Sequence, residues 1–197
     1  MYTEMLIIGA GVTGCSLARV LSRYEGSLTV IDRGSDVAEG ASKANSGIVH
    51  AGFDAHPGTL KAKLNVEGAK MYPALSEELG VAYSRPGALV IGFTEDDRKT
   101  LETLLEQGRE NGVEGLRIIE RDEILALEPN CNPDVLCALD APTSGLTSPY
   151  EMTFALADHA ALNGASFRLN TEVTAVRHED ADNLWHVTTT QGEYTCK

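Results

Sequence analysis

The 197-residue chain is short of aromatic residues, at 6%, and of positive charge, with 16 Lys and Arg against 29 Asp and Glu. The formal net charge of −13 repels nucleic-acid phosphates and anionic lipid heads at long range, so no nucleic-acid partner is expected. Small anions stay open, because backbone N–H groups at a helix start and one or two local cations can hold them. Long apolar runs are missing too. The stretch Met5–Ile8 is among the longest, far below the roughly 20 residues of a membrane span, so no transmembrane segment is expected. Met1-Tyr2-Thr3-Glu4 lacks the basic region of a secretory signal, and a cytoplasmic protein is the expectation. The four cysteines, Cys15, Cys131, Cys137 and Cys196, form no CxxC pair and no zinc-like spacing with histidine. They read as reduced thiols, and no metal site is expected. What remains is ordinary for a globular protein: 43% hydrophobic and 23% charged, enough to bury a core without a covalent staple.

Met5-Leu6-Ile7-Ile8 runs without alternation, as a strand buried on both faces of a parallel sheet does. Glycines follow at 9, 11 and 14, then a helix over Cys15–Arg23 and a second strand over Leu28–Ile31. This is one βαβ unit. Residues 33–58 read as loop. A helix is expected over Thr59–Leu79, with Pro73 kinking or splitting it. Short strands follow at 83–84 and 88–93, then a helix opened by Thr94 with Asp97 three residues on. Strands near 116–119 and 135–139 enclose a helix over 122–127. Ser148-Pro149-Tyr150-Glu151 opens another helix, ended by Asn163-Gly164. Strands at 166–169, 172–178, 184–190 and 193–196 close the chain. The last of these reads as an exposed sheet edge and an aggregation hazard.

Gly9-Ala10-Gly11-Val12-Thr13-Gly14 fits G-x-G-x-x-G. The fit has its proper context: a buried strand before, an amphipathic helix after, and Asp32 closing the next strand. Gly9 permits the tight turn, Gly11 lets backbone approach a pyrophosphate, and Gly14 lets the helix lie against the strand. The helix start offers N–H groups and a positive dipole end to phosphates. Asp32 suits ribose hydroxyls, with Arg33 beside it. Dinucleotide binding follows, with the choice between NAD and FAD left open by the fingerprint.

The segment Ala41-Ser42-Lys43-Ala44-Asn45-Ser46-Gly47-Ile48-Val49-His50-Ala51-Gly52-Phe53, with Pro57-Gly58-Thr59-Leu60-Lys61-Ala62-Lys63-Leu64, resembles the D-amino-acid-oxidase-like superfamily of FAD-dependent oxidoreductases. It is most similar to flavin-linked glycerol-3-phosphate dehydrogenases and L-2-hydroxyglutarate dehydrogenases or oxidases. The resemblance implies an α/β fold: a Rossmann-like FAD-binding domain, residues 1–80 and 143–197, with part of an α+β substrate domain, 81–142, inserted. It implies that Gly9, Ala10, Gly11, Val12, Thr13 and Gly14 hold the FAD diphosphate, and Asp32 and Arg33 the adenosine ribose. Ser42, Lys43, Asn45 and Ser46 would lie along the diphosphate and ribityl chain, Gly47, Ile48 and His50 beside the isoalloxazine ring, and Val173 against the adenine.

The residues alone allow two roles for His50, a hydrogen-bonded structural residue or a proton acceptor. The resemblance further implies hydride transfer from a small anionic hydroxy compound to flavin N5. The candidate substrates are glycerol-3-phosphate and L-2-hydroxyglutarate, and the electron acceptor would be a quinone, oxygen or an iron–sulfur partner. Arg85 is the local candidate for an anion contact. A non-catalytic dinucleotide-binding module is the alternative of a different class. Relatives run on beyond the pattern seen here, so the chain is expected to be the N-terminal part of a larger enzyme.

Overall fold

The computed structural model describes residues 1–197. In chain order its elements are β1 (Met5–Ile8), α1 (Val12–Leu21), β2 (Leu28–Ile31), β3 (Ile48–Val49), α2 (Leu60–Leu79), β4 (Tyr83–Ser84), β5 (Leu89–Gly92), α3 (Glu95–Glu110) and β6 (Arg117–Glu120). There follow α4 (Arg121–Leu127), β7 (Cys137–Asp140), β8 (Gly145–Thr147), α5 (Pro149–Leu162), β9 (Ser166–Arg168), β10 (Val173–Glu179), β11 (Leu184–Thr189) and β12 (Gly192–Cys196). They pack as two units. The first comprises Met1–Ser46, Leu79–Val81 and Ser148–Lys197; the second comprises Gly47–Glu78 and Ala82–Thr147.

In the first unit β1, β2 and β9 form a parallel sheet in that order, with Met5 opposite Leu28 and Thr29 opposite Ser166. All four residues of the central β2 are buried, whereas β1, read from its unalternated apolar run as buried on both faces, lies at the edge of this sheet with Met5, Leu6 and Ile7 half-buried and Ile8 exposed. The crossover helix α1 packs on α5. Each helix buries small residues, Gly14, Cys15 and Ala18 in one and Ala157 and Ala160, beside the larger Met152 and Leu156, in the other, and small side chains let helices approach closely. The predicted start of α5 is in place: the Glu151 N–H donates to Ser148 Oγ at 3.2 Å, with Pro149 at the first position. A second, antiparallel sheet joins β10, β11 and β12, and its Val187 and Tyr194 share a core with Ile31, Leu6 and Val173.

The outer edge of β12 is not exposed, contrary to the sequence expectation. Thr3 N donates to Thr195 O at 3.0 Å, Thr195 N to Met1 O at 2.9 Å, and Lys197 Nζ pairs with Glu4 at 3.0 Å. Residues 1–4 carry no strand pattern, so this pairing left no trace in the sequence.

The second unit holds two antiparallel sheets, in the orders β5-β7-β6 and β3-β8-β4. Central β7 buries Cys137, Ala138 and Leu139, and Leu101 of α3 joins Cys137 and Leu139 in one core. The capping box predicted at Thr94 is complete. Asp97 N donates to Thr94 Oγ1 at 3.1 Å, and Thr94 N donates to the Asp97 carboxylate at 2.9 Å. Two readings need correction. Pro73 does not split α2, which runs unbroken from Leu60 to Leu79. Proline removes one hydrogen bond of a long helix, and packing on both sides of it, through Ala62 and Val66 before and Ser76 after, offsets that loss. The stretch read as loop also contains β3, whose Ile48 and Val49 pair with Leu146 and Gly145 of β8.

Packing divides the chain differently from the boundaries expected by cofactor role, because residues 47–78 pack with 82–147. Compactness and ligand contact are separate criteria.

Candidate functional site

In the first unit the loop between β1 and α1 is shaped by absent side chains. Gly9 has φ +105°, a conformation that favours glycine, and its N–H donates to Ile31 O at 2.8 Å. A Cβ on Gly14 would overlap Gly9 O and stand 3.3 Å from Ile7 Cγ2, so this position sets how closely α1 lies against β1. Gly11 caps α1 with extended backbone and no side chain of its own to close the helix start. Instead Val12 N donates to Ser42 Oγ at 2.9 Å, from a residue far along the chain. A Cβ on Gly11 would stand 3.1 Å from that oxygen. The Ser42 hydroxyl, while accepting this bond, keeps its own proton to donate.

Asp32 binds the same loop from the other side. Its Oδ2 accepts from Ala10 N at 2.6 Å and its Oδ1 from Gly34 N at 2.7 Å. Each carboxylate oxygen retains acceptor capacity, so ribose hydroxyls can still be bound. Ala38, at φ +63°, donates its N–H to Ala10 O at 3.0 Å and draws the 34–42 segment onto the loop. Cys15 lies beneath it, with Sγ donating to Ala10 O at 3.4 Å. Burial, with the Asp32 charge adding, pushes this thiol up to about 11, so it stays protonated and unreactive near neutral pH.

These elements surround a cavity of about 800 Å³. Of the residues predicted from sequence, Gly9, Gly11, Asp32, Arg33, Ser42 and Val173 line it. Sequence reasoning missed Gly34, Glu39, Gly40, Ala41, Thr171 and Glu172, which line it as well. Thr171 N donates to Asp32 O at 2.7 Å and Asn170 N to Gly34 O at 2.8 Å, which sets the β9–β10 corner beside the carboxylate. No local pattern announces that contact; only the pairing of β9 with β2 brings it about. Ala10 and Gly14 are buried behind the loop rather than lining the cavity. Lys43 pairs with Glu39 at 2.9 Å, and Asn45 Nδ2 donates to Ala41 O and Ser42 O. Both thus hold the 39–45 turn together in this structure.

A dinucleotide fits these residues. The helix start is closed by no cap of its own, a Cβ at Gly11 would fill the cradle, and a carboxylate with spare acceptor capacity flanks it.

Gly47, Ile48 and His50 belong to the second unit. His50 follows β3, and its imidazole is exposed. The same unit carries a cavity of about 260 Å³, lined by Lys70, Arg85 and Glu114 over an apolar floor of Ala51, Val66 and Val113. Nowhere do three or more His, Cys, Asp or Glu side chains gather to hold a metal ion, and no helix is long and apolar enough to cross a membrane.

Comparison with known proteins agrees with this geometry. Residues 4–197 match the family described as "FAD dependent oxidoreductase" (DAO). The chain is 45% identical over 177 residues to a glycerol 3-phosphate dehydrogenase of Caloramator mitchellensis, covering 90% of this chain and 37% of that protein. It is 33% identical over 172 residues to a mitochondrial L-2-hydroxyglutarate dehydrogenase of Pongo abelii, covering 86% and 41%. Among solved structures, the FAD-bound L-α-glycerophosphate oxidase of Mycoplasma pneumoniae superposes with a TM-score of 0.95 at 31% identity, over 100% of this chain and 53% of that one. The chain therefore spans about half the length of the relatives it matches, or less.

Proposed function

The chain belongs to the DAO family of FAD-dependent oxidoreductases, and from that premise we propose that it is the FAD-holding part of an enzyme oxidising sn-glycerol-3-phosphate to dihydroxyacetone phosphate. The observation that carries the substrate is the 45% identity to a glycerol 3-phosphate dehydrogenase over 90% of this chain. Bound FAD would supply a hydride acceptor at flavin N5 for the substrate C–H. The residues here have other tasks. Gly9, Gly11 and the open start of α1 take the diphosphate, with Ser42 donating its free hydroxyl proton. Asp32 accepts from the adenosine ribose, and Val173 meets the adenine. Gly47 to His50 line the isoalloxazine, and the His50 imidazole takes the proton of the substrate hydroxyl. By these roles the FAD-binding domain comprises residues 1–80 and 143–197, and 81–142 begins the substrate domain. Arg85 is the local cation for the substrate anion.

A second reading, oxidation of L-2-hydroxyglutarate or another 2-hydroxy acid, rests on the 33% identity to L-2-hydroxyglutarate dehydrogenase. The test is the visible spectrum of the FAD-loaded chain, taken anaerobically with each substrate in turn. Bleaching by glycerol-3-phosphate alone supports the first reading, and bleaching by L-2-hydroxyglutarate alone supports the second. A chain that stays colourless when FAD is supplied overturns both. Re-oxidation in air with formation of hydrogen peroxide identifies oxygen as acceptor. Re-oxidation only by an added quinone points to an electron-transfer partner.

A further inference from the structure

We infer that Asn65, Gln107 and Asn111 are positioning residues for His50, acting through hydrogen bonds from their side-chain amides to the carbonyls of His50 and of the loop that follows it. Asn65 Nδ2 donates to His50 O at 2.8 Å. Gln107 Nε2 donates to Phe53 O at 2.9 Å and Asp54 O at 2.8 Å. Asn111 Nδ2 donates to Gly52 O at 3.0 Å and Ala55 O at 2.6 Å. Both N–H bonds of Gln107 and of Asn111 are thus used, and every acceptor is a carbonyl, which only the NH2 end of an amide satisfies.

The placement is specific. Gln107 and Asn111 are four residues apart, so they share one face at the end of α3. Gly108 lies between them, and a Cβ there would meet Leu116 Cδ1 and stand 2.8 Å from Phe53 Cβ. The missing side chain is what lets the two amides reach the loop. Ala51, Phe53 and Ala55 of the loop are themselves buried. On the amino side of His50, β3 is held by its ladder to β8. The backbone of His50 is therefore fixed before and after, while its ring is exposed and free to meet a ligand. A loop of residues 50–55 with five unmet carbonyls would not keep such a position. The requirement is steep, since displacing a reacting group by about 1 Å costs on the order of 100-fold in rate.

This inference rests on the reading of His50 as the group beside the flavin. The test follows the histidine ring signals of the full chain by NMR during FAD titration, with the His50 signal assigned by His50→Asn. In the wild-type chain FAD moves that signal. Gln107→Glu and Asn111→Asp, which set a carboxylate against carbonyls, should broaden it and cut its movement to less than about half. FAD affinity, which on this reading comes mainly from the diphosphate and ribose contacts of residues 9–42, should stay within about threefold. Gln107→Met removes the donor without adding charge and serves if the acidic variants fold poorly. A wild-type signal that FAD leaves unmoved while binding overturns the reading of His50 and this inference with it. A wild-type movement that all three variants retain in full overturns this inference alone.

Discussion

Two loops in this molecule each lie against a helix, and they are held by opposite means. Residues 9–14 of the first unit are shaped by missing side chains: a positive φ at Gly9, an open helix start at Gly11, and a Gly14 whose Cβ would collide with Gly9 O. Residues 50–55 of the second unit are shaped by added ones, three amides that occupy five carbonyls. In the first loop the N–H groups of Gly9, Ala10 and Val12 are bonded to Ile31, Asp32 and Ser42, and the start of α1, closed by no cap of its own, is the part proposed to serve a ligand. In the second the backbone is satisfied internally, and the exposed group is the ring of His50. A diphosphate asks for many donors and little side-chain bulk; a proton acceptor asks for one side chain at a fixed place.

Both helices carry a glycine at the close approach, and substitution there gives the largest effects. Alanine inside a helix ordinarily stabilises by about 1 kcal/mol over glycine. Gly14→Ala should reverse that sign, costing about 3 kcal/mol and abolishing FAD retention, because its nearest obstacle is a backbone oxygen that cannot turn away. Gly108→Ala should cost less, about 1–2 kcal/mol, since the first atom met is the flexible end of Leu116. Denaturant melts with and without FAD measure both. Equal losses, or FAD retained by Gly14→Ala, would break the comparison.

Asp32→Ala comes next. It removes the acceptor for Ala10 N and Gly34 N along with the ribose contact. Hydrogen bonds to a charged acceptor contribute about 1.5–3 kcal/mol each, so FAD affinity should fall at least about 100-fold. Flavin fluorescence titration reads it, and a change within threefold would remove Asp32 from the site.

The first loop was legible in the sequence because its chemistry is local. Strand, three spaced glycines, helix and a closing acid fall within 32 residues, and each position has a steric reason. Thr171 and Glu172 were not legible, because their place beside Asp32 depends on β9 pairing with β2 across more than a hundred residues. The amide set was hidden for the same reason. Asn111 reaches Gly52 across 59 positions, and nothing local separates it from an ordinary helix-ending asparagine. The edge of β12 was misjudged because its partner, residues 1–3, carries no alternation. Capping signals, being contained within four residues, were read correctly at Thr94 and Ser148.

Those caps give the smallest effects and refine the comparison further. The start of α3 is closed by Thr94 and Asp97, while the start of α1, proposed to take the diphosphate, has Ser42 at its first N–H and no cap of its own. Thr94→Ala should therefore lower stability by about 1 kcal/mol and leave FAD affinity alone, whereas Ser42→Ala should weaken FAD several-fold with a smaller change in melting. The two differ in pH dependence as well. The Asp97 carboxyl is held below its ordinary value of 3.8, chiefly by the Phe93 N–H, with the Thr94 hydroxyl and N–H adding. A carboxyl that is more acidic folded than unfolded leaves the unfolded chain binding more protons at intermediate pH. Its stabilisation is thus present above the ordinary carboxylate range and is lost as pH falls through the depressed folded value. The stability difference between wild type and Asp97→Asn should accordingly be full at pH 7 and shrink below about pH 4, the range in which an unperturbed Asp titrates. Melting of the two proteins from pH 7 to pH 3 reads this directly. A gap that stays constant over that range would mean that the Asp97 side chain holds the Phe93 and Thr94 N–H groups by geometry rather than by charge.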